Sequence, residues 1–199
     1  MRVLNPDFFE RPALEVAGEL LDKYLFTRVN GRKCGGRVVE TEAYMGPEDR
    51  ASHAACGLTA RNSLMYGPAG VSYVYLCYGM HFCFNVVCGE ESTPGAVLIR
   101  ALEPETGVDE MKRRRGGKVL RELASGPAKL TQALGIDMRH NGLKLPAVEI
   151  YLAASGIPPR AFLRGPRVGI SKSVSLNYRF FIKDCRFVSG HRQRGGALQ

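Results

Sequence analysis

From Asn62 to Gly89 the chain carries no Lys, Arg, Asp or Glu, and inside that stretch residues 73–85 read YVYLCYGMHFCFN. No other feature restricts the fold as much. Two runs of aromatic and β-branched residues meet at Tyr78–Gly79, the pattern of two strands joined by a tight turn. Gly67, Pro68, Gly70 and Gly79 interrupt the stretch, and Ser, Asn and His residues are scattered through it. It therefore does not read as a membrane span and is expected to be core or functional surface. Hairpin tips face water and favour small polar residues, so the ring of Tyr78 is either folded back onto the protein or held out to touch something. A two-residue tip pairs Tyr75 with Phe82 and Tyr73 with Phe84, an aromatic face that is more often core than binding platform. The same register sets Tyr75 and Asn85 on opposite faces, so for the two to meet either the tip is longer or bulged or one of them reaches over an edge.

Helix and strand signals flank this hairpin. RPALEVAGELLDKYL places Leu14, Ala17, Leu21, Tyr24 and Leu25 near helical spacing behind Pro12, which predicts an amphipathic helix over residues 12–25. KCGGRVVETEAYMG predicts a strand from Arg37 to Tyr44, closed by the turn GPED and followed by a short helix through RASHAA. GAVLIRALEP predicts another strand. ETGVDEMKRRRGG reads as a helix with Thr106 and Asp109 spaced as a capping box. SGPAKLTQALG reads as a second, capped by Ser125 and stopped by Gly135. Strands are expected again at VEIYLA, RVGIS and RFFIKDCRFVSG. With no internal repeat or low-complexity linker, this order predicts an α+β fold, a single domain over residues 1–199 with a mostly antiparallel sheet. No Gly-rich nucleotide fingerprint or P-loop is present.

The 199 residues, 45% of them hydrophobic and 24% charged, suffice for one sizeable core. No basic-then-apolar leader follows Met1, so a cytoplasmic protein without membrane attachment is expected. The formal net charge of +9 is unevenly spread. Residues 151–199 carry nine basic side chains against one acidic, whereas residues 1–50 carry eight against nine. Such an excess suits a basic face for a polyanion, or a solvated tail that only aids solubility. None of the six cysteines (Cys34, Cys56, Cys77, Cys83, Cys88, Cys185) forms a Cys-x-x-Cys pair. His53 and Cys56 imitate half a zinc site with no second half, so buried free thiols, no metal and no disulfide framework are expected.

Several positions are candidates for chemistry. Strand alternation puts Val38, Glu40, Glu42 and Tyr44 on one face. Two carboxylates there suit an ordinary solvent-facing pair, the commoner case, or a catalytic carboxylate. His53 follows a turn, where a structural hydrogen-bonding role is commoner than catalysis. Asn85 ends an apolar strand and needs partners if buried. Arg100 ends AVLIR and either binds an anion or pairs with a carboxylate.

Taken together, VETEAYMGPEDRASH, ARNSLMYGPAGVSYVYLCYGMHFCFNVV and VLIRALEP, followed in order by LASGPAKLTQALGI and GPRVGIS, resemble the alkyladenine (3-methyladenine, methylpurine) DNA glycosylase family. The resemblance runs from FFERPALEVAGELL to VSG, most of the chain. It implies a curved antiparallel sheet with surrounding helices and a protruding β-hairpin. It also implies base excision repair without metal or cofactor: a monomer that flips damaged purines out of double-stranded DNA and hydrolyses the N-glycosidic bond.

Carried over by position, Glu42 matches the general base that activates water, and Arg100 a residue near that water and the phosphate. Tyr44, His53 and Tyr75 match aromatic walls around the flipped purine, and the main-chain amide of His53 a donor towards its 6-position. Asn85 matches the side chain that excludes guanine's exocyclic amine. Tyr78 matches an intercalating tyrosine that fills the gap in the stack. His81 stands where relatives carry a tyrosine. No lysine occupies a matched core position, so an abasic site without strand cleavage is implied. Arg160, Arg164, Arg167 and Lys172, with the run KRRRGGK, are the candidates for DNA backbone contact. A non-catalytic nucleic-acid-binding domain that keeps the pocket is the alternative, and a small-molecule hydrolase a third reading.

Overall fold

In the computed structural model, which describes residues 1–190, nine strands form among those residues. They are β1 Arg2–Val3, β2 Tyr24–Val29, β3 Arg32–Tyr44, β4 Ser72–Cys77, β5 His81–Val87, β6 Ala96–Thr106, β7 Ile150–Ala154, β8 Phe162–Gly165 and β9 Arg179–Ile182. All pair antiparallel in the order β1-β7-β2-β3-β6-β5-β4, with β9 joining β3 to β8. The sheet curls into a half-barrel, and the fold is α+β with an antiparallel sheet, as the sequence predicts. Three helices, α1 Ala13–Glu19, α2 Val108–Arg114 and α3 Pro127–Leu134, surround it. Val16, Ala17, Met111, Leu130 and Leu134 from these helices share one buried apolar cluster with Val38, Phe84, Val97 and Ile99 of the sheet. No helix among the described residues is long and apolar enough to cross a membrane. Part of the basic C-terminal quarter, including Arg192 and Arg194, lies outside the described residues.

The sheet is built around β3, longer than the predicted Arg37–Tyr44. It starts at Arg32 and runs through Gly35 and Gly36. Neither position has room for a side chain: a Cβ would collide with the Phe26 ring at Gly35 and with the Glu103 carbonyl at Gly36. Two irregularities of register, between Val38 and Glu40 and between Glu40 and Thr41, bend β3 against β6. Past the bend, Glu40–Glu42 pair with β6 on one side and β9 on the other. The middle of β3 is thus walled in on both flanks.

Four local predictions need correction. The helix over 12–25 stops at Glu19. Asp22 takes a left-handed backbone (φ 59°) and turns the chain, so Tyr24 and Leu25 enter β2 between β3 and β7. Two elements had imitated one helical period. RVGIS is loop rather than strand; the strand between β7 and β9 is instead FLRG, β8. Gly107 (φ 69°), not a Thr106–Asp109 box, starts α2, and Gly126, not Ser125, starts α3, with Pro127 in its first turn. Finally, the hairpin turn is one residue longer than predicted: Cys77 pairs with His81, Tyr75 with Cys83 and Tyr73 with Asn85. Tyr75 and Asn85 therefore share one face.

Candidate active site

The one-residue change at the hairpin assembles the site. Tyr78 (φ 50°) and Gly79 (φ 70°) both take left-handed backbone, and the Met80 N–H closes the turn on the Cys77 carbonyl at 3.2 Å. Glycine adopts this freely; a tyrosine does so at a cost of about 1–2 kcal/mol. Yet the Tyr78 side chain is 84% exposed and Met80 70%, so no packing compensates for it. The strain at this exposed aromatic tip is therefore not repaid by packing within the described residues.

Beneath the tip lies a cavity of about 290 Å³, at the lower end of small-ligand sites (about 300–1,000 Å³). Tyr44, His53, Tyr73, Tyr75, Tyr78, Asn85 and Arg100 all line it, with the 168–170 loop and Pro127. His53 and Tyr75 meet edge to face with centroids 4.6 Å apart, and Tyr73 and Tyr75 lie 5.3 Å apart. His53 Nδ1 lies 2.8 Å from the Tyr73 hydroxyl. Burial, and then the charge of Arg61, hold the imidazole below its ordinary pKa, so it is neutral at pH 7. Burial pushes the Tyr75 phenol up as well. Asn85 is buried, and its amide donates to the Tyr73 carbonyl at 3.0 Å. Cys83, also in the lining, is raised to about 11 by burial and by Cys77.

Under the floor of this cavity the two β3 carboxylates are fully buried, which overturns the solvent-facing reading. Arg100 on β6 bridges them: Nε donates to Glu40 Oε1 (3.0 Å) and Nη1 to Glu42 Oε2 (3.1 Å). Burial alone would lower the pKa of Arg100, but the Glu42 and Glu40 carboxylates outweigh it and hold the guanidinium above its ordinary value. Its charge is thus committed to carboxylates rather than to an anionic ligand. Glu40 is tied further by Arg179 Nε (2.7 Å) and by the Ser189 amide (2.6 Å) and hydroxyl (2.9 Å). Glu42 differs. Beyond Arg100 it accepts from the Tyr44 hydroxyl (Oε2, 2.9 Å) and the Val168 N–H (Oε1, 2.7 Å). Both donors belong to residues of the cavity wall, as does Arg100, so Glu42 is joined to that wall at three points and Glu40 at one. Burial, reinforced by Glu42, pushes the Tyr44 phenol well above its ordinary value, which keeps it a donor.

The supposed DNA-backbone residues separate sharply. Arg167 has no exposed side chain; both terminal nitrogens meet Asp49 at 2.6 Å, and its guanidinium carbon lies 4.6 Å from the Tyr44 ring centroid. It braces the pocket wall and is in no position to meet a phosphate. Arg160 is committed to Asp22 (2.6 Å) and Glu103 (3.1 Å). Arg164 covers the Phe180 ring at 4.9 Å. Lys172 is exposed and in no ion pair among the described residues. In KRRRGGK, Lys112 reaches Asp109 while Arg113 and Arg114 are held by Glu110. The six cysteines are unpaired; Cys34, Cys83 and Cys88 are buried, but Cys56 is exposed, against the expectation of buried thiols throughout. No group of three or more His, Cys, Asp or Glu with metal-ligating geometry occurs among the described residues. Sequence reasoning missed Asp49, Val168, Arg61 and the pocket role of Tyr73. Only Tyr73 carried a signal, its two-residue spacing from Tyr75.

A curled antiparallel sheet thus carries an aromatic-lined cavity, a buried carboxylate joined to its wall and a strained tyrosine at its mouth. A family model described as methylpurine-DNA glycosylase (MPG) matches residues 7–186. A protein named "Putative 3-methyladenine DNA glycosylase" from Carboxydothermus hydrogenoformans is 48% identical over 94% of this chain and 98% of its own length. Proteins of the same name from Chlorobium phaeobacteroides (47% identical, 96% of this chain, 99% of theirs) and Rhodopseudomonas palustris strain HaA2 (48%, 94% and 90%) are similarly close. The chain belongs to the methylpurine-DNA glycosylase family.

Proposed function

We propose that the protein removes alkylated or deaminated purines from double-stranded DNA as a monofunctional glycosylase, acting as a monomer and leaving an abasic site. The observation that carries the reading is Glu42, fully buried yet joined through Tyr44 and Val168 to the wall of an aromatic cavity large enough for a purine. The damaged nucleotide rotates into the slot between Tyr44, His53 and Tyr75, and Tyr78 takes its place in the stack, offsetting part of the few kcal/mol that unstacking costs. The first N–H groups of a helix lack internal acceptors. The amide of His53, first residue of the single 3-10 turn His53–Cys56, therefore suits an acceptor at the purine 6-position and disfavours adenine's amine. Asn85, anchored on the Tyr73 carbonyl, narrows the slot against guanine's exocyclic amine.

A carboxylate oxygen accepts about two hydrogen bonds. Glu42 Oε2 has two donors in Arg100 and Tyr44, whereas Oε1 has one in Val168. The second acceptor position of Oε1 takes a proton from water. The water oxygen bonds to the sugar C1′, and the C1′–N bond breaks with its electron pair leaving on the purine; a neutral lesion then takes up a proton from solvent as Glu42 returns its own. The anion at the floor stabilises the oxocarbenium-like charge that develops on the sugar. With no amine as nucleophile, the backbone is not cut. The test is a duplex with one hypoxanthine: free base and an abasic strand that breaks only on alkali treatment are expected. Direct strand cleavage would contradict the water mechanism, and tight binding without release would favour a non-catalytic binding domain.

A further inference from the structure

The charges around the cavity balance, with one exception. Glu40 and Glu42 are matched by Arg100 and Arg179, and Asp49 by Arg167. Arg61 is in no ion pair among the described residues, and its guanidinium carbon lies 5.5 Å from the Tyr75 ring centroid. Tyr75 lines the cavity, whereas Arg61 stands outside that lining. Although exposed, Arg61 sits on a clamped loop. The side chain of the next residue, Asn62, is buried; its amide donates to the His53 and Gly57 carbonyls (2.8 Å each) and its oxygen accepts from the Thr59 N–H at 2.6 Å. The loop that carries Arg61 is thus fastened to the backbone of the pocket histidine. The charge of Arg61 also reaches the Tyr73 phenol, where it opposes the rise that burial causes, and that phenol oxygen lies 2.8 Å from His53 Nδ1.

We infer that Arg61 sets the charge preference of the pocket, favouring neutral damaged purines over cationic ones. This rests on the glycosylase reading above. Two effects act in the same direction. A cation held against Tyr75 draws on its π-density, so the ring becomes a poorer partner for a second cation stacked from the cavity side. The unpaired guanidinium also repels a cationic base directly, an interaction that weakens with ionic strength because Arg61 is exposed. Hypoxanthine, which is neutral, experiences neither. A 3-methyladenine nucleotide, with a fixed positive charge until its glycosidic bond breaks, experiences both. The neutral His53 and the matched ion pairs add no opposing net charge. Arg61 acts through Tyr75 and through its own charge from outside the cavity lining, and is a positioning and specificity residue, not a catalytic one.

The test compares single-turnover release of 3-methyladenine from methylated poly(dA–dT) with release of hypoxanthine from a duplex of the same alternating sequence. Wild type, Arg61→Met and Arg61→Lys are measured side by side. In Arg61→Met the 3-methyladenine to hypoxanthine rate ratio should rise about three- to tenfold, with a smaller rise at high salt. Arg61→Lys, which keeps the charge, should stay near the wild-type ratio. An unchanged ratio in Arg61→Met with both bases released, or equal slowing on both substrates, would overturn the inference and leave the glycosylase reading standing. Release of neither base by the wild type would remove that reading and this inference with it.

Discussion

At the scale of single residues, the buried pair Asp49–Arg167 holds the pocket wall as firmly as the catalytic candidates themselves. Replacing Asp49 with Asn leaves the Arg167 guanidinium buried without a counter-charge. Unfolding in urea should show a loss of about 3–5 kcal/mol; a loss under about 1 kcal/mol would mean that the pair does not hold the wall. Burial alone would raise the pKa of Asp49, but Arg167 and the N–H groups of Met45 and Ala51 outweigh it and hold the carboxyl below its ordinary value. The sign follows: the contribution is complete above the ordinary carboxylate range and is lost as the pH falls through the depressed folded-state value. Asp49→Asn should lack this part of the acid destabilisation. The pair was not legible in the sequence, because its members lie 118 positions apart and neither belongs to a periodic pattern. Glu40, Glu42 and Tyr44 were legible as one strand face through the period of two. What alternation left open was whether that face meets water, which depends on β6 and β9 closing over both flanks.

At the scale of elements, the hairpin β4–β5 gave its existence and its tip to sequence reading, but not its register. A two-residue and a three-residue connection differ by one position, and one position moves every side chain of a strand to the other face. The backbone of Tyr78, left-handed where a tyrosine resists it, decides between them. The predicted extension of the first helix past Glu19 failed similarly: β2 is flanked by β3 and β7, and pairing on both sides outweighs a local helical period. RVGIS has strand composition, yet the Val168 N–H serves Glu42 instead of a ladder. For the tip, a structural and a DNA-contacting role predict different things. With Tyr78 84% exposed, Tyr78→Ser should move Tm by less than about 2 °C. The same change should weaken binding of a hypoxanthine duplex about tenfold or more, as loss of a stacking plug requires. A large fall in Tm with binding unchanged would make Tyr78 a packing residue.

At the scale of the whole molecule, the excess positive charge was legible as a number but not as a surface. Arg160 and Arg167 are spent on internal carboxylates, while Lys172 is exposed. The logarithm of DNA affinity should fall linearly with the logarithm of salt concentration, and Lys172→Ala should make the slope shallower by about one phosphate's worth, roughly 0.9. Arg160→Ala should leave the slope as it is; the reverse result would exchange their roles. The fold and family were readable because strand pattern and linked motifs extend along most of the chain. The wiring of the site depends instead on loops that meet only in space, such as Val168 on Glu42 and Asn62 on His53. The claim that joins all three scales is that the buried Glu42 activates water against a flipped purine. Single-turnover release of hypoxanthine by Glu42→Gln, at protein concentrations that saturate the duplex, tests it most directly. The account predicts a rate lower by about 10²–10⁴-fold with binding to the lesion retained; release at the wild-type rate would contradict it.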